Sequence, residues 1–251
     1  MKLTATIIAY NEEKNLPRAI KSVEDLTSEI VVVVDSRTTD KTKEIAEKLG
    51  AKVFVRKFDN FANQKNFASD NATGDWILSL DADEEVSPML AKEINSQLST
   101  LNSQVDAFSI PRKNYILGKF IKYTRWQPEL DRHVWLWRKS KGCWVGDVHE
   151  EVEVDGEVVR LKNPKLHYQY ETVSQFLKMM NRYSELEADQ RVKKGVKFSF
   201  SRMFFEPIYN FLVRYFYRLG FLDGWRGFVL SYLMAVYHLE LWIKVWERQN
   251  A

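Results

Sequence analysis

Three groups of acidic and polar residues hold most of the chemistry this sequence offers. They are Tyr10-Asn11-Glu12-Glu13, Asp35-Ser36-Arg37-Thr38-Thr39-Asp40 and Asp81-Ala82-Asp83-Glu84-Glu85. Each directly follows a short apolar run. Carboxylates gathered in one place repel one another unless a cation or hydrogen-bond donors bind there. Asp81 and Asp83, spaced Asp-x-Asp in a turn, can direct both carboxylates the same way. Hard oxygen ligands of this kind suit Mg2+ or Mn2+, with phosphate oxygens completing the shell. A single Asp after a strand more often caps the next helix, so the weight rests on three such groups in series. Further along, Gly142-Cys143-Trp144-Val145-Gly146-Asp147-Val148-His149-Glu150 sets two glycines around an aromatic. Glycines there would let the backbone approach a ligand closely. In an extended segment Glu150 and Glu151 would point to opposite faces.

Positioning these groups falls to alternating elements. Leu3–Ala9, Ile30–Val34, Lys52–Val55 and Trp76–Leu80 read as strands, the second a continuous β-branched run suited to a strand buried on both faces. Helices are expected over 17–26, 40–49 and 62–69, the second closed by Gly50. This order implies an α/β fold, a mostly parallel sheet with helices on both faces. Ligands in such sheets bind beyond the carboxyl ends of the strands. That is where all three groups fall. Ser87-Pro88 starts a further helix running to about Leu98. Shorter strands are expected at 107–110, 134–138, 148–154 and 158–161, and helices from Glu171 onward.

With 45% hydrophobic and 28% charged residues, the 251-residue chain is neither disordered nor repetitive. Its one cysteine, Cys143, excludes a disulfide framework and a cysteine-based zinc site. A formal charge of +3 gives no argument for nucleic acid, and none is expected as a partner. No signal peptide opens the chain, so a cytoplasmic start is expected. Phe228–Trp246 is interrupted by His238, Glu240 and Lys244, so no transmembrane helix is expected there.

The runs IIAYNEE, VVVVDSRTTDKT and WILSLDADEE, in that order and spacing, resemble family 2 glycosyltransferases of the GT-A fold over roughly residues 3–168. The resemblance implies a nucleotide-sugar site. The base would stack near Tyr10, beside Asn11, and meet Glu12 and Asp35. Asp81 would hold the ribose, and Asp83 a Mn2+ or Mg2+ ion on the diphosphate. Ser36 and Arg37 depart from the family's commonest Asp-Asp-Gly-Ser-Thr-Asp form. Lys65, in Gln64-Lys65-Asn66, resembles the family's basic position near the phosphates; a solvated helix face is the competing reading. The resemblance gives Glu150 the general-base role on the acceptor hydroxyl. It gives His167 a part in binding metal or diphosphate. Arg125, Trp126, Asp131, Arg132 and Arg138 could shape an acceptor cleft, or simply pack.

Residues 171–251 differ in composition, with twelve Lys and Arg against eight Asp and Glu. The segment RVKKGVKFSFSR interleaves Arg191, Lys193, Lys194, Lys197 and Arg202 with aromatics, as an anionic membrane surface would favour. Two apolar helices are expected over 204–222 and 228–246, and Trp225, Trp242 and Trp246 suit an interfacial zone. A buried helical subdomain is the alternative. Residues 1–170 therefore read as a catalytic domain and 171–251 as a C-terminal helical membrane-associating region. With GCWVGDVHEEV, LKNPKLHY, GVKFSFSRMFFEP and YRLGFLDGWRGF, the whole chain is similar to lipopolysaccharide core glycosyltransferases. That similarity implies an inverting, metal-dependent enzyme, peripheral on the inner face of the cytoplasmic membrane. It would move glucose from a UDP-sugar to a lipid-linked saccharide acceptor such as lipid A–core. The rivals are a transferase acting on polyprenyl phosphate and a non-catalytic membrane-bound scaffold. A nucleotidyltransferase would carry a Gly-rich basic loop where Tyr10-Asn11-Glu12-Glu13 stands.

Overall fold

A computed structural model of the protein describes residues 1–100, 104–146 and 150–250. In chain order the elements are β1 (Leu3–Ala9), α1 (Leu16–Lys21), β2 (Glu29–Asp35), α2 (Thr42–Lys48), β3 (Lys52–Arg56), α3 (Phe61–Asp70), β4 (Trp76–Asp81), β5 (Glu84–Val86) and α4 (Pro88–Ser99). There follow β6 (Val105–Ile116), β7 (Lys119–Phe120), β8 (Arg132–Arg138), β9 (Gly142–Val145), β10 (Glu151–Val154), β11 (Glu157–Arg160) and β12 (Lys165–Tyr170). The chain ends in α5 (Val173–Lys193), α6 (Phe200–Leu212) and α7 (Trp225–Asn250). It forms two compact units, Met1–Lys113 with Asp131–Tyr168, and Asn114–Leu130 with Gln169–Ala251.

In the first unit β3, β2, β1 and β4 lie side by side and parallel. The β-branched runs explain this, since Ile7, Val31, Val32 and Val33 are wholly buried. Each such side chain contributes about 1.5–3 kcal/mol. Beyond β4 the pairing turns antiparallel, to β8 and then β6, and β12 pairs antiparallel with β5. The sheet is therefore mixed, with the expected parallel order in one half. Because β1, β2 and β4 run the same way, the three polar groups that follow them share one edge.

Several helix limits differ from the sequence expectation. Helix α1 stops at Lys21 rather than near Leu26, because the Ser22 hydroxyl donates to the Ala19 carbonyl and accepts from the Val86 N–H. Asp40 stands outside α2. Its carboxylate accepts from the Thr42 N–H and hydroxyl and from the Glu13 N–H, so it fastens two loops together. Gly50 closes that helix at φ +78° as expected, and Ser87 caps α4 by accepting from the Leu90 N–H.

In the second unit, Thr172 and Gln175 form a reciprocal capping box that starts α5. The expected helix over 204–222 is broken. A π-turn (Val213–Tyr217) follows α6, Leu219 is left-handed at φ +56°, and a short 3-10 turn covers Gly220–Asp223. Gly220 explains the break, since a Cβ there would lie 2.7 Å from the Arg214 carbonyl oxygen. By length and composition alone helix α7 is long and apolar enough to cross a membrane, with 39% of its most apolar stretch buried inside the protein. Its inner face carries Lys244, whose ammonium donates to Asn181 Oδ1 (2.6 Å) and Ser184 Oγ (2.7 Å). Trp242, expected at an interface, is wholly buried and donates to Glu206. Arg191 is likewise structural, paired with Glu187 and lying over Trp242. Trp225 and Trp246 are exposed, as are Lys193, Lys194 and Lys197.

Candidate active site

Loop geometry at the carboxyl edge follows from a few side chains. After β1 the chain turns at Asn11, a left-handed residue at φ +55°, a conformation Asn tolerates better than most. The Asn11 Oδ1 accepts from the Thr39 N–H at 2.8 Å, and the Glu12 N–H donates to Thr42 Oγ1 at 2.8 Å. The loops after β1 and β2 are thus one braced unit. Within it, burial first, and then the charges of Asp83, Asp40 and Asp81, push the Glu12 carboxyl up to about 7, against a hydrogen bond from Asn15. Acids from all three polar groups therefore sense one another, as the sequence spacing implied.

Asp35 is nearly buried and already occupied. Arg37 donates to it through its backbone N–H at 3.0 Å and through its guanidinium. Those hydrogen bonds hold the Asp35 carboxyl below the usual carboxylate range. The Arg37 guanidinium also lies 5.7 Å from the Tyr10 ring centre and 5.6 Å from that of Phe58. Tyr10 is 52% exposed, leaving a ring face open to solvent. The residue that departs from the usual family pattern thus sits between Asp35 and the aromatic expected to stack on a base.

Lys65 does not lie on a solvated face. It is 3% exposed, with its ammonium 3.0 Å from Asp81 Oδ1 and 2.9 Å from Glu150 Oε1. Burial alone would lower its pKa, but Asp81 and Glu150 more than reverse this and raise it. Asn66, the next residue on α3, clamps β9 by accepting from the Trp144 N–H and donating to its carbonyl. Burial would raise the Asp81 carboxyl, yet Lys65, Lys165 and Arg112 bring it below the ordinary range. Glu150 thus meets Asp81 through a shared cation, while Glu151 is exposed. Asp147, Val148 and His149 lie outside the described residues. The glycine reading of this segment changes, because a Cβ at Gly142 would lie 2.7 Å from the Trp137 ring. Gly142 serves packing, and Trp144 is buried against Trp135 and Trp137 rather than open to a sugar.

Asp83 and His167 come together, with Oδ2 and Nε2 3.4 Å apart. Burial lowers the His167 pKa, but Asp83 outweighs it and the net direction is up. The pair arises because β12 runs antiparallel to β5, setting His167 opposite Glu84, and the Tyr168 N–H donates to the Asp83 carbonyl. No group of three or more His, Cys, Asp or Glu that could hold a metal occurs among the described residues. One carboxylate and one imidazole fit a divalent ion that takes its remaining ligands from water and a diphosphate.

Sequence reasoning missed the charge network beneath these groups. Glu84 is wholly buried and bound by Lys165, with Arg112 at 3.5 Å. Its carboxylate also accepts from the Asp81 N–H, fixing the Asp-x-Asp turn from below. Burial pushes Lys165 down to about 8, with Glu84 and Asp81 only partly offsetting it. Arg112 in turn makes paired hydrogen bonds with Asp131. One signal was available: Lys165 precedes His167 by two residues, so a strand puts both on one face. Asp131, Arg132 and Arg138 all have structural partners here.

The glycosyl transferase family 2 model matches residues 4–145. An uncharacterized glycosyltransferase of Rickettsia typhi is 34% identical over 245 residues, covering 93% of this chain and 83% of that protein. The lipopolysaccharide core biosynthesis glycosyltransferase LpsC of Rhizobium meliloti is 28% identical over 256 residues, covering 99% and 93%. Among solved structures, S. aureus TarS 1-349 in complex with UDP aligns at a TM-score of 0.48 and 16% identity, over 73% of this chain and 64% of that one.

Proposed function

The chain is a glycosyltransferase belonging to family 2, with the GT-A fold, and on that premise we propose that it moves a hexose, glucose by preference, from a UDP-sugar to a lipopolysaccharide inner-core acceptor at the cytoplasmic face of the membrane. The relative named for lipopolysaccharide core biosynthesis, similar along almost the whole chain, supports the acceptor class. The observation that carries the reading is the meeting of acids from three adjacent loops: Glu12, Asp81 and Asp83 act on one another, and Lys65 joins Asp81 to Glu150.

In this reading Tyr10 offers the uracil a flat surface and Asp35 accepts from its imide N–H once Arg37 gives way. Asn11 and Glu12 shape the same edge. Asp81 accepts from the ribose hydroxyls. Asp83 and His167 hold Mn2+ or Mg2+, which when bound neutralises the diphosphate leaving group. Lys65 anchors Glu150 through Oε1, and among the described residues Oε2 makes no hydrogen bond. That oxygen takes the proton of the acceptor hydroxyl as it attacks the anomeric carbon from the face opposite the diphosphate. A single displacement inverts the centre.

The test is a panel of UDP- and GDP-sugars incubated with lipid A–core acceptor, with and without Mn2+. UDP release that needs metal and acceptor is expected. Glu150→Gln should slow turnover and leave UDP binding nearly unchanged. GDP release, a metal-independent rate or a wild-type rate in Glu150→Gln would each remove that part of the reading. An intact Glu150→Gln rate on polyprenyl phosphate would point to an acceptor oxygen already ionised.

A further inference from the structure

In the second unit Arg125, Arg214 and Arg218 make no ion pair with an acid among the described residues. Arg214, beyond the end of α6, is 7% exposed and lies 5.1 Å from the Trp126 ring centre, and among the described residues neither its Nε nor its Nη1 has a hydrogen-bond partner. Arg218 Nε is also buried and unpartnered. Arg125 is exposed and close enough for its charge to act on Arg214. Burial first, then Arg125, pushes Arg214 down to about 9. Leaving buried donors of a charged group unpaired is costly, so the arrangement is incomplete without an anion. Nearby acids are already engaged. Glu206 accepts from Trp242 and lies 3.3 Å from His238 and 3.6 Å from Arg191. The Asp223 carboxylate accepts the N–H groups of Lys122 and Tyr123.

A cavity of about 530 Å³ opens here, lined in part by Arg125, Arg218, Asn210, Tyr209 and Tyr217. Arg214 lies four residues from both Asn210 and Arg218. The surrounding surface is apolar and uncovered: Phe205 is 70% exposed, Tyr209 64% and Tyr217 75%. Arg125 and Arg218 line the cavity, Arg214 adjoins it in sequence, and an aromatic rim surrounds them; a cation cluster with no acid in such a rim matches a ligand with an anionic head and an apolar body. Guanidinium forks suit the oxygens of a phosphate, and Tyr and Trp favour the headgroup level of a bilayer.

We propose that Arg125, Arg214 and Arg218 form a binding site for the phosphate of a membrane-lipid headgroup, with the exposed aromatic rim of α6 and the turn after it seated among the acyl chains. The proposal is independent of the transfer reaction and stands or falls by binding alone.

Flotation of the full chain with phosphatidylcholine vesicles tests it. One set is doped with phosphatidic acid. The other carries oleic acid at matched surface charge and so adds negative charge without added phosphate. Wild type should prefer the phosphatidic acid vesicles by about tenfold or more, the scale of charge-assisted hydrogen bonds. The double variant Arg125→Gln/Arg218→Gln should lose that preference, keep its binding to oleate vesicles and melt no lower than wild type. Phe205→Ser/Tyr217→Ser should weaken binding to both. Equal affinity for the two vesicles, or a preference that survives the arginine changes, would overturn the site. Inorganic phosphate is the remaining arm: if it occupies the arginines equally well and vesicles add nothing, the ligand is a free anion and the lipid assignment is wrong.

Discussion

Replacing Lys65 with Met tests the hinge of the site, because Met keeps the length of the side chain and removes only the ammonium. In the wild type that ammonium lies 3.0 Å from Asp81 and 2.9 Å from Glu150. At an effective dielectric of about 20, each pair attracts by roughly 5–6 kcal/mol before desolvation. Net losses on breaking a buried pair are smaller, about 3–5 kcal/mol. The lower end applies here, because Asp81 keeps 29% of its side chain in solvent and still senses Lys165 and Arg112. Lys65→Met should therefore cost about 3 kcal/mol at neutral pH. The pH course has a definite sign. Asp81 is depressed in the folded state, so its share is present above the ordinary carboxylate pKa and lost on acidification. Lys65 is raised, so its share is present below the ordinary lysine pKa and lost only at strongly alkaline pH. Urea denaturation of both proteins at pH 7 and near pH 4 reads the difference. The deficit should be largest at pH 7 and shrink toward pH 4, as the stranded carboxylates protonate. A deficit below about 1 kcal/mol at pH 7, within the range of exposed pairs, would refute the buried-cation reasoning. A deficit unchanged at pH 4 would assign the loss to packing.

Three further outcomes are expected. Arg37→Gly uncovers Asp35 and should tighten UDP binding severalfold in calorimetry; weaker binding would mean that Arg37 itself holds the base. Glu12 titrates near 7 rather than at 4.5, so its contribution to stability is full below about 4.5 and lost as pH rises through 7. Glu12→Gln should therefore make the metal-free protein more stable than wild type above pH 7, by about 2 kcal/mol after allowing for its partial exposure, and no more stable at pH 4.5; parallel pH–stability curves would remove the electrostatic cause. Asp83→Asn should abolish the stimulation of turnover by Mn2+ while metal-free UDP binding, followed by calorimetry, stays near wild type.

What the sequence made legible was local. The runs TIIA and VVVV announce buried strands by composition, and the polar residues that end them are placed by chain direction alone. Asp83 with His167, and Lys65 with Glu150, were reachable only through a family resemblance, since the members of each pair are 84 and 85 residues apart. Burial was the least legible quantity. Lys65 and Gln64 look like a solvated helix face until Asp81, Glu150 and the Trp144 ring are known to meet the first and Arg56 the second. Trp144 and Trp242 look like ligand or interface aromatics, yet both are core. Aromatic composition alone cannot separate these cases, because a buried Trp and an interfacial Trp differ only in what packs against them.

The charges of the catalytic unit are sorted by depth, and that ordering is itself a physical argument for a bound cation. Lys65, Lys165 and Arg112 grip Asp81, Glu150, Glu84 and Asp131, so each of these acids has a cationic neighbour. Among the described residues Glu12 has none; it gains the amide of Asn15 and is pushed upward by burial and by Asp83, Asp40 and Asp81. Asp83 has only the imidazole of His167 as a possible cationic neighbour among its ion pairs. A fold selected for stability alone would place a lysine at such a spot, as it does one layer below. Leaving this edge negative costs stability in the absence of ligand. A divalent ion with its diphosphate, as proposed above, or protons would return that cost on arriving there. The same logic, with the sign reversed, applies to Arg125, Arg214 and Arg218 of the second unit, which call for an anion as this edge calls for a cation.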